Sequence, residues 1–178
     1  MSKKNSTRFL CMTAIMAALI CIATMVIQIP IPLGYAHLGN AFIMFAVVFV
    51  GRRSGIWAAG IGSALADLLT GYAYWAIPTF IIKCVISLII GHIAYDKQGD
   101  CTVFSVRTAV GCALSMVWMV FGYTVSGAVL YGSLASGLAS TPGLIAEGVL
   151  NFVVFYGIAV LFERAKIGKL LYAEGKEN

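Results

Sequence analysis

The sequence is short of charged residues. Only 11% of its 178 residues are Asp, Glu, Lys or Arg, whereas an average soluble domain has about 25%. None occurs within residues 9–51 or 108–146, and the hydrophobic share of the chain is 61%. Because so few charges cannot cover a water-facing surface, the composition excludes a disordered protein, a soluble enzyme and a nucleic-acid-binding domain.

Several motifs that carry chemistry are also missing. The sequence has no GxxxxGK[ST] phosphate-binding loop, no GxSxG, no HExxH and no CxxC. None of the five cysteines has a spacing to histidine that suits zinc. We therefore expect no ATP, metal or cofactor site of the chain's own, and we expect the cysteines to pack as small apolar residues.

Six apolar segments are predicted to cross a membrane as helices. A spanning helix needs about 20 apolar residues, and prolines, glycines and polar turns divide the chain into suitable stretches. These lie at about 9–29, 38–50, 55–69, 77–95, 105–131 and 142–162, with Pro142 expected in the first turn of the last helix. The predicted fold is one all-α integral membrane domain over residues 1–178.

The basic residues indicate how this domain is oriented. Six spans place both termini on one side, and the tails and loops of that side hold eleven of the twelve Lys and Arg residues. The opposite loops, at 30–39, 70–76 and 132–141, hold none. Because basic loops stay in the cytoplasm, we expect a multi-pass cell-membrane protein with both termini cytoplasmic, and we read the net charge of +5 as a topology signal.

Three ionisable residues, Asp67, Lys83 and Glu147, lie inside predicted spans. Each costs about 2.5–3.5 kcal/mol at a helix centre on insertion scales, so each is a candidate functional residue. A rise of 1.5 Å per residue places all three near the outer surface. Asn151 lies one turn from Glu147 on the same helix face, and Asn40 begins the second helix. A structural ion pair is the alternative interpretation of Asp67 with Lys83.

Aromatic residues gather at the same depth. They include His37, Tyr74, Trp75, Trp118 and Tyr123. Aromatic rings with a few converging polar groups are typical of a small-molecule pocket. We expect the rings to stack on a flat heteroaromatic ligand while the polar groups bind its edges. An interfacial aromatic belt is the alternative for the outer-loop tyrosines, and a solvated side chain is the alternative for His37.

Helix one carries a separate surface. Ala14 and Ala18 form an AxxxA pattern, and small residues at this spacing let two helices approach closely. The pattern indicates either packing within the bundle or docking onto another membrane subunit.

Helices two to four contain a familiar combination of short stretches. They are Leu38-Gly39-Asn40-Ala41-Phe42, Ala66-Asp67-Leu68-Leu69-Thr70-Gly71-Tyr72, Pro78-Thr79 and Ile81-Ile82-Lys83. Together with the chain length and the six-span layout, they resemble the substrate-binding S components of energy-coupling factor (ECF) vitamin transporters. The resemblance is to the branch that carries riboflavin, pyridoxine or hydroxymethylpyrimidine.

The resemblance implies a vitamin-binding subunit of a prokaryotic plasma membrane. Its pocket would open to the outside, between the first outer loop and helices four to six. The implied partners are a shared transmembrane coupling subunit, which would dock at Ala14 and Ala18, and two ATPase subunits that hydrolyse the ATP. A pyridine or pyrimidine vitamin fits one base, one acid and several aromatic rings, and riboflavin fits nearly as well.

Two other functions are weighed against this one. An intramembrane enzyme would use Asp67, Lys83 or Glu147 as an acid or base, but no nucleophile stands next to a base in the sequence. A stand-alone proton-coupled carrier would need polar groups at the membrane midplane and often shows an internal repeat. The sequence shows neither of these features, so substrate capture is the leading hypothesis.

Overall fold

Six α-helices make up most of this computed structural model, which describes the backbone of residues 3–165 and the side chains of residues 6–165. The helices are α1 (Lys3–Val26), α2 (Gly39–Phe45), α3 (Arg52–Leu69), α4 (Ala76–Ile93), α5 (Val106–Leu130) and α6 (Leu134–Arg164). A π-helical segment (Ala46–Val50) continues α2, and a 3-10 turn (Ala73–Trp75) leads into α4. Five basic residues of the predicted cytoplasmic side lie outside the described side chains: Lys3, Lys4, Lys166, Lys169 and Lys176.

The short α2 helix and its π-helical extension lie at the centre of the bundle. They contact α1, α3, α4 and α6, while the longer helices pack in the order α1–α3–α4–α5–α6. From Gly39 to Phe49 nearly every side chain of this segment is buried. A helix that is apolar on all sides is stable only when it is covered on all sides, which explains its central place.

The outside of the bundle is apolar. Val106, Ile77 and Val117 are 79%, 75% and 65% exposed, and such a surface is suited to lipid rather than water. Four helical stretches are long and apolar enough to cross a membrane: Ser6–Val26, Ala73–Ile93, Val106–Leu130 and Leu134–Arg164. The described chain is therefore a mostly helical multi-pass membrane protein. The apolar stretch Gly39–Val50 is shorter than these four.

The first connection is a β-hairpin, where the sequence predicted only a proline-broken loop. Strand β1 (Ile29–Ile31) pairs antiparallel with β2 (Gly34–Ala36), and Pro30 lies opposite Tyr35. Prolines are tolerated in a two-stranded sheet because its edges need no amide donor. The all-α prediction therefore needs one addition, and α1 ends at Val26 instead of residue 29. We call the end of the bundle that carries this hairpin the hairpin end.

The start of α6 was predicted wrongly. The helix begins at Leu134, not at Pro142, and the Ser133 hydroxyl caps it by accepting a hydrogen bond from the Ser136 amide at 3.4 Å. The Gly/Ser/Ala-rich stretch 132–141 is therefore mostly helical, and Pro142 lies inside the helix. Proline is costly inside water-exposed helices, but it is tolerated in membrane helices, where neighbouring groups satisfy the freed carbonyl.

The start of α3 also differs from its prediction. The helix begins at Arg52 rather than Gly55, directly after Gly51, whose φ is +126°. Glycine adopts such an angle readily and ends the preceding segment, while arginine is a good helix former. The predicted polar turn at 51–55 is thus reduced to one residue.

Gly39 fixes how closely α2 approaches α1. A Cβ atom at this position would overlap the Thr24 hydroxyl of α1 and would lie 3.1 Å from the His37 ring. Only glycine fits this contact, so helix packing explains the glycine in the Leu38-Gly39-Asn40 stretch. The close approach sets the next residue, Asn40, into the middle of the bundle, where it is fully buried.

Candidate functional site

A pocket opens at the hairpin end of the bundle. Its cavity volume is about 60 Å³, and the space within it is about 520 Å³ when the open mouth is included. The hairpin, the end of α3, the connection from α3 to α4 with its 3-10 turn, and helices α5 and α6 form its wall. The polar and aromatic residues of that wall are Tyr35, His37, Asp67, Tyr72, Trp75, Tyr123, Ser140 and Glu147.

A chain of hydrogen bonds lies directly behind this wall. The Lys83 ammonium donates to Asn40 Oδ1 at 2.7 Å, and Asn40 Nδ2 donates to Glu147 Oε1 at 2.8 Å. Lys83 and Asn40 are fully buried, and Glu147 is 3% exposed. The cation and the carboxylate thus share one amide, and the neutral Asn40 holds two opposite charges in fixed positions.

Asn151 ties the same region to the hairpin. Its Oδ1 accepts from the Ala41 amide at 2.8 Å, and its Nδ2 donates to the carbonyl oxygens of His37 at 2.7 Å and Glu147 at 2.9 Å. One fully buried amide therefore joins α2, α6 and the end of the hairpin. This side chain positions the site and does not line it.

His37 connects the network with the pocket. It is 8% exposed, and its Nδ1 accepts from the Gly39 amide at 3.0 Å and lies 3.6 Å from Glu147 Oε1. Burial and then the nearby charge of Lys83 hold the pKa of His37 well below its usual value. The ring is therefore neutral at neutral pH, and it is a buried group rather than the solvated side chain of the alternative interpretation.

Asp67 does not pair directly with Lys83. Its Oδ1 accepts a hydrogen bond from the Tyr35 hydroxyl at 3.4 Å, and that hydroxyl also lies 3.3 Å from Thr70 Oγ1. Among the described residues Lys83 bonds to Asn40 instead, although its charge still acts on Asp67. Burial, above all, raises the pKa of Tyr35 to about 12, so its hydroxyl stays protonated and donates.

Two aromatic rings form one side of the pocket. The Trp75 and Tyr123 ring centroids are 5.7 Å apart, and Trp75 is 6% exposed. Lys83 Nζ lies 5.1 Å from the Tyr123 ring centroid, a distance that allows a cation–π interaction. The Tyr123 hydroxyl donates to Thr79 Oγ1 at 3.3 Å. These contacts fix the orientation of both rings.

Two of the predicted aromatic residues lie elsewhere. Trp118 is on α5 but outside the pocket wall, and its ring packs 5.9 Å from Phe121. Tyr74 is 51% exposed, and its hydroxyl lies 3.0 Å from that of Tyr131 at the hairpin end. The stacking role predicted for these two residues does not match their positions. Helical position along the chain gave their depth but not the direction in which each side chain points.

Sequence reasoning missed several members of the wall. Ser140 lies in a stretch that the sequence predicted to be a loop, whereas the structure places it on α6 about two turns before Glu147. Tyr35 and Tyr72 are two of the outer-loop tyrosines for which an interfacial belt was the alternative interpretation, yet both line the pocket, with ring centroids 5.1 Å apart. Tyr35 lies on strand β2, so its place in the wall could have been predicted only if the hairpin had been recognised in the sequence.

The AxxxA surface lies on the outside of α1. Ala14 and Ala18 are exposed, whereas Ala17 and Ile20 face inward. The inward face packs on α3 so closely that a Cβ at Gly62 would overlap the Ala17 carbonyl. Ala14 and Ala18 are therefore not used for packing within the described bundle.

The comparisons with known proteins agree with this architecture. Residues 4–164 match the family described as ECF-type riboflavin transporter, S component. The chain belongs to this S component family. It is thus a member of a family of transporter subunits, not of an enzyme family. It is also 33% identical over 154 residues to an uncharacterised protein of the gap 3′ region of Pyrococcus woesei, a match that covers 85% of this chain and 99% of that protein.

No metal centre accompanies the pocket in the part of the chain that the structure describes. Residues 3–165 contain no group of three or more His, Cys, Asp or Glu side chains placed to hold a metal ion.

Proposed function

We propose that this S component captures a small heteroaromatic vitamin for an ATP-driven ECF importer. The observation that carries the proposal is the pocket at the hairpin end, where Glu147, His37, Asp67 and two aromatic rings meet in a chain of this family. Pyridoxine and hydroxymethylpyrimidine are the first candidates, because the enclosed part of the pocket is small. Riboflavin is the next candidate and appears in the family's description.

The proposed arrangement in the membrane follows the charge pattern. α2 with its π-helical extension, and α3, supply two crossings in addition to the four longest apolar helices, which gives six spans with both termini in the cytoplasm. The hairpin end then faces outside, since its loops hold no basic residues. The pocket is thereby open to the side from which a nutrient arrives, in the plasma membrane of a prokaryote.

The chain needs partners for active uptake. We propose that these partners are a shared transmembrane coupling subunit and two ATPase subunits, and that the chain itself binds no cofactor. The exposed Ala14 and Ala18 surface of α1 fits a close helix–helix contact with the coupling subunit, because small residues allow backbones to approach.

Direct binding to the purified subunit tests the first part of the proposal. Pyridoxine, hydroxymethylpyrimidine and riboflavin are titrated separately by calorimetry, with one of them expected to bind at micromolar strength or better. Glu147→Ala should weaken that binding by about 1–3 kcal/mol because it removes a buried hydrogen-bonding group. Glu163→Ala, at an exposed position of the same helix, is the matched control. Failure of all three vitamins to bind would contradict the proposed function.

Co-purification tests the docking surface. Ala14→Leu with Ala18→Leu should reduce recovery of the coupling and ATPase subunits with a tagged S component while leaving vitamin binding intact. Ala146→Leu places the same bulk on an exposed position of α6 and should leave recovery unchanged. Equal recovery with both variants would show that the coupling subunit docks elsewhere.

A further inference from the structure

Three polar atoms of the pocket wall have no hydrogen-bond partner within the described chain. They are Asp67 Oδ2, Trp75 Nε1 and Ser140 Oγ. Their side chains are 7%, 6% and 5% exposed, so each is more than nine-tenths buried. Buried polar groups in native proteins are nearly always paired, and three unpaired ones around a single pocket therefore need an explanation.

The Asp67 carboxylate is held in one orientation. Tyr35 donates to its Oδ1, which leaves Oδ2 as the unpaired oxygen. The Thr79 hydroxyl and the Lys83 charge also act on Asp67, but neither gives Oδ2 a hydrogen bond of good geometry. An ionised carboxylate only accepts hydrogen bonds, so this position of the wall calls for a donor.

Trp75 presents the opposite requirement. An indole Nε1–H only donates. The Tyr74 hydroxyl acts on Trp75, but it does not give Nε1 a hydrogen bond of good geometry. The ring is held in place next to Tyr123 and Tyr74, with centroids 5.7 and 6.4 Å away. The ring cannot turn to find another acceptor without losing these contacts. Ser140, across the pocket on α6, can either donate or accept.

We infer that Asp67 Oδ2, Trp75 Nε1 and Ser140 Oγ are the specificity-determining contacts of the pocket, and that its ligand carries a donor for Asp67 and an acceptor for Trp75. This inference rests on the proposed function and narrows its substrate class. A ring with an N–H, amino or phenol donor and a ring nitrogen, carbonyl or hydroxyl acceptor fits the wall. A ring whose donor has been alkylated does not fit.

Vitamin analogues test the inference on the wild-type protein. Each parent vitamin is paired with a form that lacks the donor: ring-nitrogen-methylated riboflavin, phenol-methylated pyridoxine, or the dimethylamino form of hydroxymethylpyrimidine. The wild type should prefer the bound parent by about tenfold or more, as expected for a buried acceptor left unpaired. Equal affinity for parent and analogue would overturn the inference while leaving the proposed function standing.

Variants separate the donor from the acceptor. Asp67→Asn keeps an oxygen for Tyr35 but places an N–H₂ donor where Oδ2 was. The parent vitamin should then bind about tenfold more weakly or worse, and the preference over the analogue should disappear. Unchanged or tighter binding would mean that the vitamin accepts at this point, and the inference would be wrong.

Ser140→Ala has a close internal control. Ser63 on α3 is 1% exposed, and its Oγ is likewise unpaired, but it does not line the pocket. Neither alanine variant should lower the thermal stability of the vitamin-free protein, because neither hydroxyl makes a hydrogen bond. Only Ser140→Ala should weaken vitamin binding, by about fivefold or more. Equal effects of the two variants on binding would contradict the assignment of Ser140. If none of the three vitamins binds to the wild type, the proposed function fails, and this inference fails with it.

Discussion

Two groups of buried polar side chains lie at the hairpin end, and they differ in how they are paired. Behind the pocket, Lys83, Asn40 and Asn151 have protein partners for their side-chain groups at 2.7–2.9 Å. In the wall, Asp67 and Trp75 each keep one atom unpaired. Burial alone thus does not tell which groups bind. We interpret the paired group as the part that shapes the pocket and, following the inference above, the unpaired group as the part that contacts a ligand.

The largest expected effect on stability comes from removing the Lys83 cation from the paired group. Lys83→Met leaves the buried Glu147 carboxylate without its nearby positive charge and Asn40 Oδ1 without its donor. Breaking a buried charge arrangement in this way costs about 3–5 kcal/mol. Thermal unfolding followed with a thiol-reactive dye measures the loss, since Cys101 and Cys112 are buried.

A double variant provides the control for that measurement. Lys83→Met with Glu147→Gln removes both charges and should recover part of the lost stability, because no uncompensated carboxylate remains. A single variant as stable as the wild type would show that Lys83 is not part of a structural network.

The amide that joins the hairpin to the helices should have the next largest effect. Asn151→Leu leaves the Ala41 amide and the His37 carbonyl unpaired, which costs about 1–3 kcal/mol for a buried group. The same unfolding assay measures it. Val153→Leu, at a position 62% exposed on the same helix, should change stability by less than about 0.5 kcal/mol. An Asn151 effect as small as this would contradict a positioning role.

Trp75 and Trp118 allow the role of an unpaired polar atom inside the pocket to be compared with that of one outside it. Trp75 and Trp118 both have a buried, unpaired Nε1, but only Trp75 lines the wall. Trp75→Phe should weaken vitamin binding by about tenfold, or 1.4 kcal/mol, through loss of its N–H. Trp118→Phe should leave the dissociation constant within about twofold. A larger effect at Trp118 would restore the stacking role that the sequence predicted for it and extend the pocket along α5.

Within one pH unit of neutrality, the smallest expected effect is a pH dependence from His37. Its folded-state pKa is lowered, so on acidification the unfolded chain takes up a proton near pH 6.5 while the folded protein does not. Stability is therefore retained above about pH 6.5. Below that it falls by up to about 1.4 kcal/mol per pH unit. Groups facing the ring are Glu147, Lys83 and Tyr35.

An asparagine at position 37 provides the comparison for this pH profile. His37→Asn keeps an acceptor for the Gly39 amide but has no titrating group, so its stability between pH 6.5 and 5 should fall less steeply than that of the wild type. Identical slopes would assign the acid sensitivity to another residue.

The sequence located the site better than it predicted the site's internal pairing. The cost of charge in a membrane singled out Asp67, Lys83 and Glu147, and the rise of a helix put them at one end. Their partners depend on tertiary packing. Lys83 reaches Asn40 because α2 is at the centre of the bundle, a position that no sequence period encodes. The tendency of charges in membranes to pair had suggested Asp67 as the alternative partner.

The errors in the fold arose where local composition and tertiary context disagree. Small residues at 132–141 looked like a loop, yet Ser133 caps a helix that continues through Pro142. Two prolines looked like a break, yet they form part of a hairpin. In both places the missing information concerns neighbours far along the chain, which satisfy or cover the backbone. Ser140 and Tyr35 were left out of the predicted site for the same reason, because their neighbours in the structure are far away along the chain.

The packing of the hairpin tip against α6 affects how fast a ligand can enter the pocket more than how tightly the pocket holds it. Ile31 rests against α6 so closely that a Cβ at Gly143 would lie 2.6 Å from its Cγ2, whereas the other end is anchored by the Asn151–His37 hydrogen bond. The hairpin is therefore held by a polar hydrogen bond at one end and by apolar packing at its tip. We expect a methyl group added at Gly143 to displace Ile31, so that a ligand enters and leaves the pocket faster while the polar groups of the wall keep their positions.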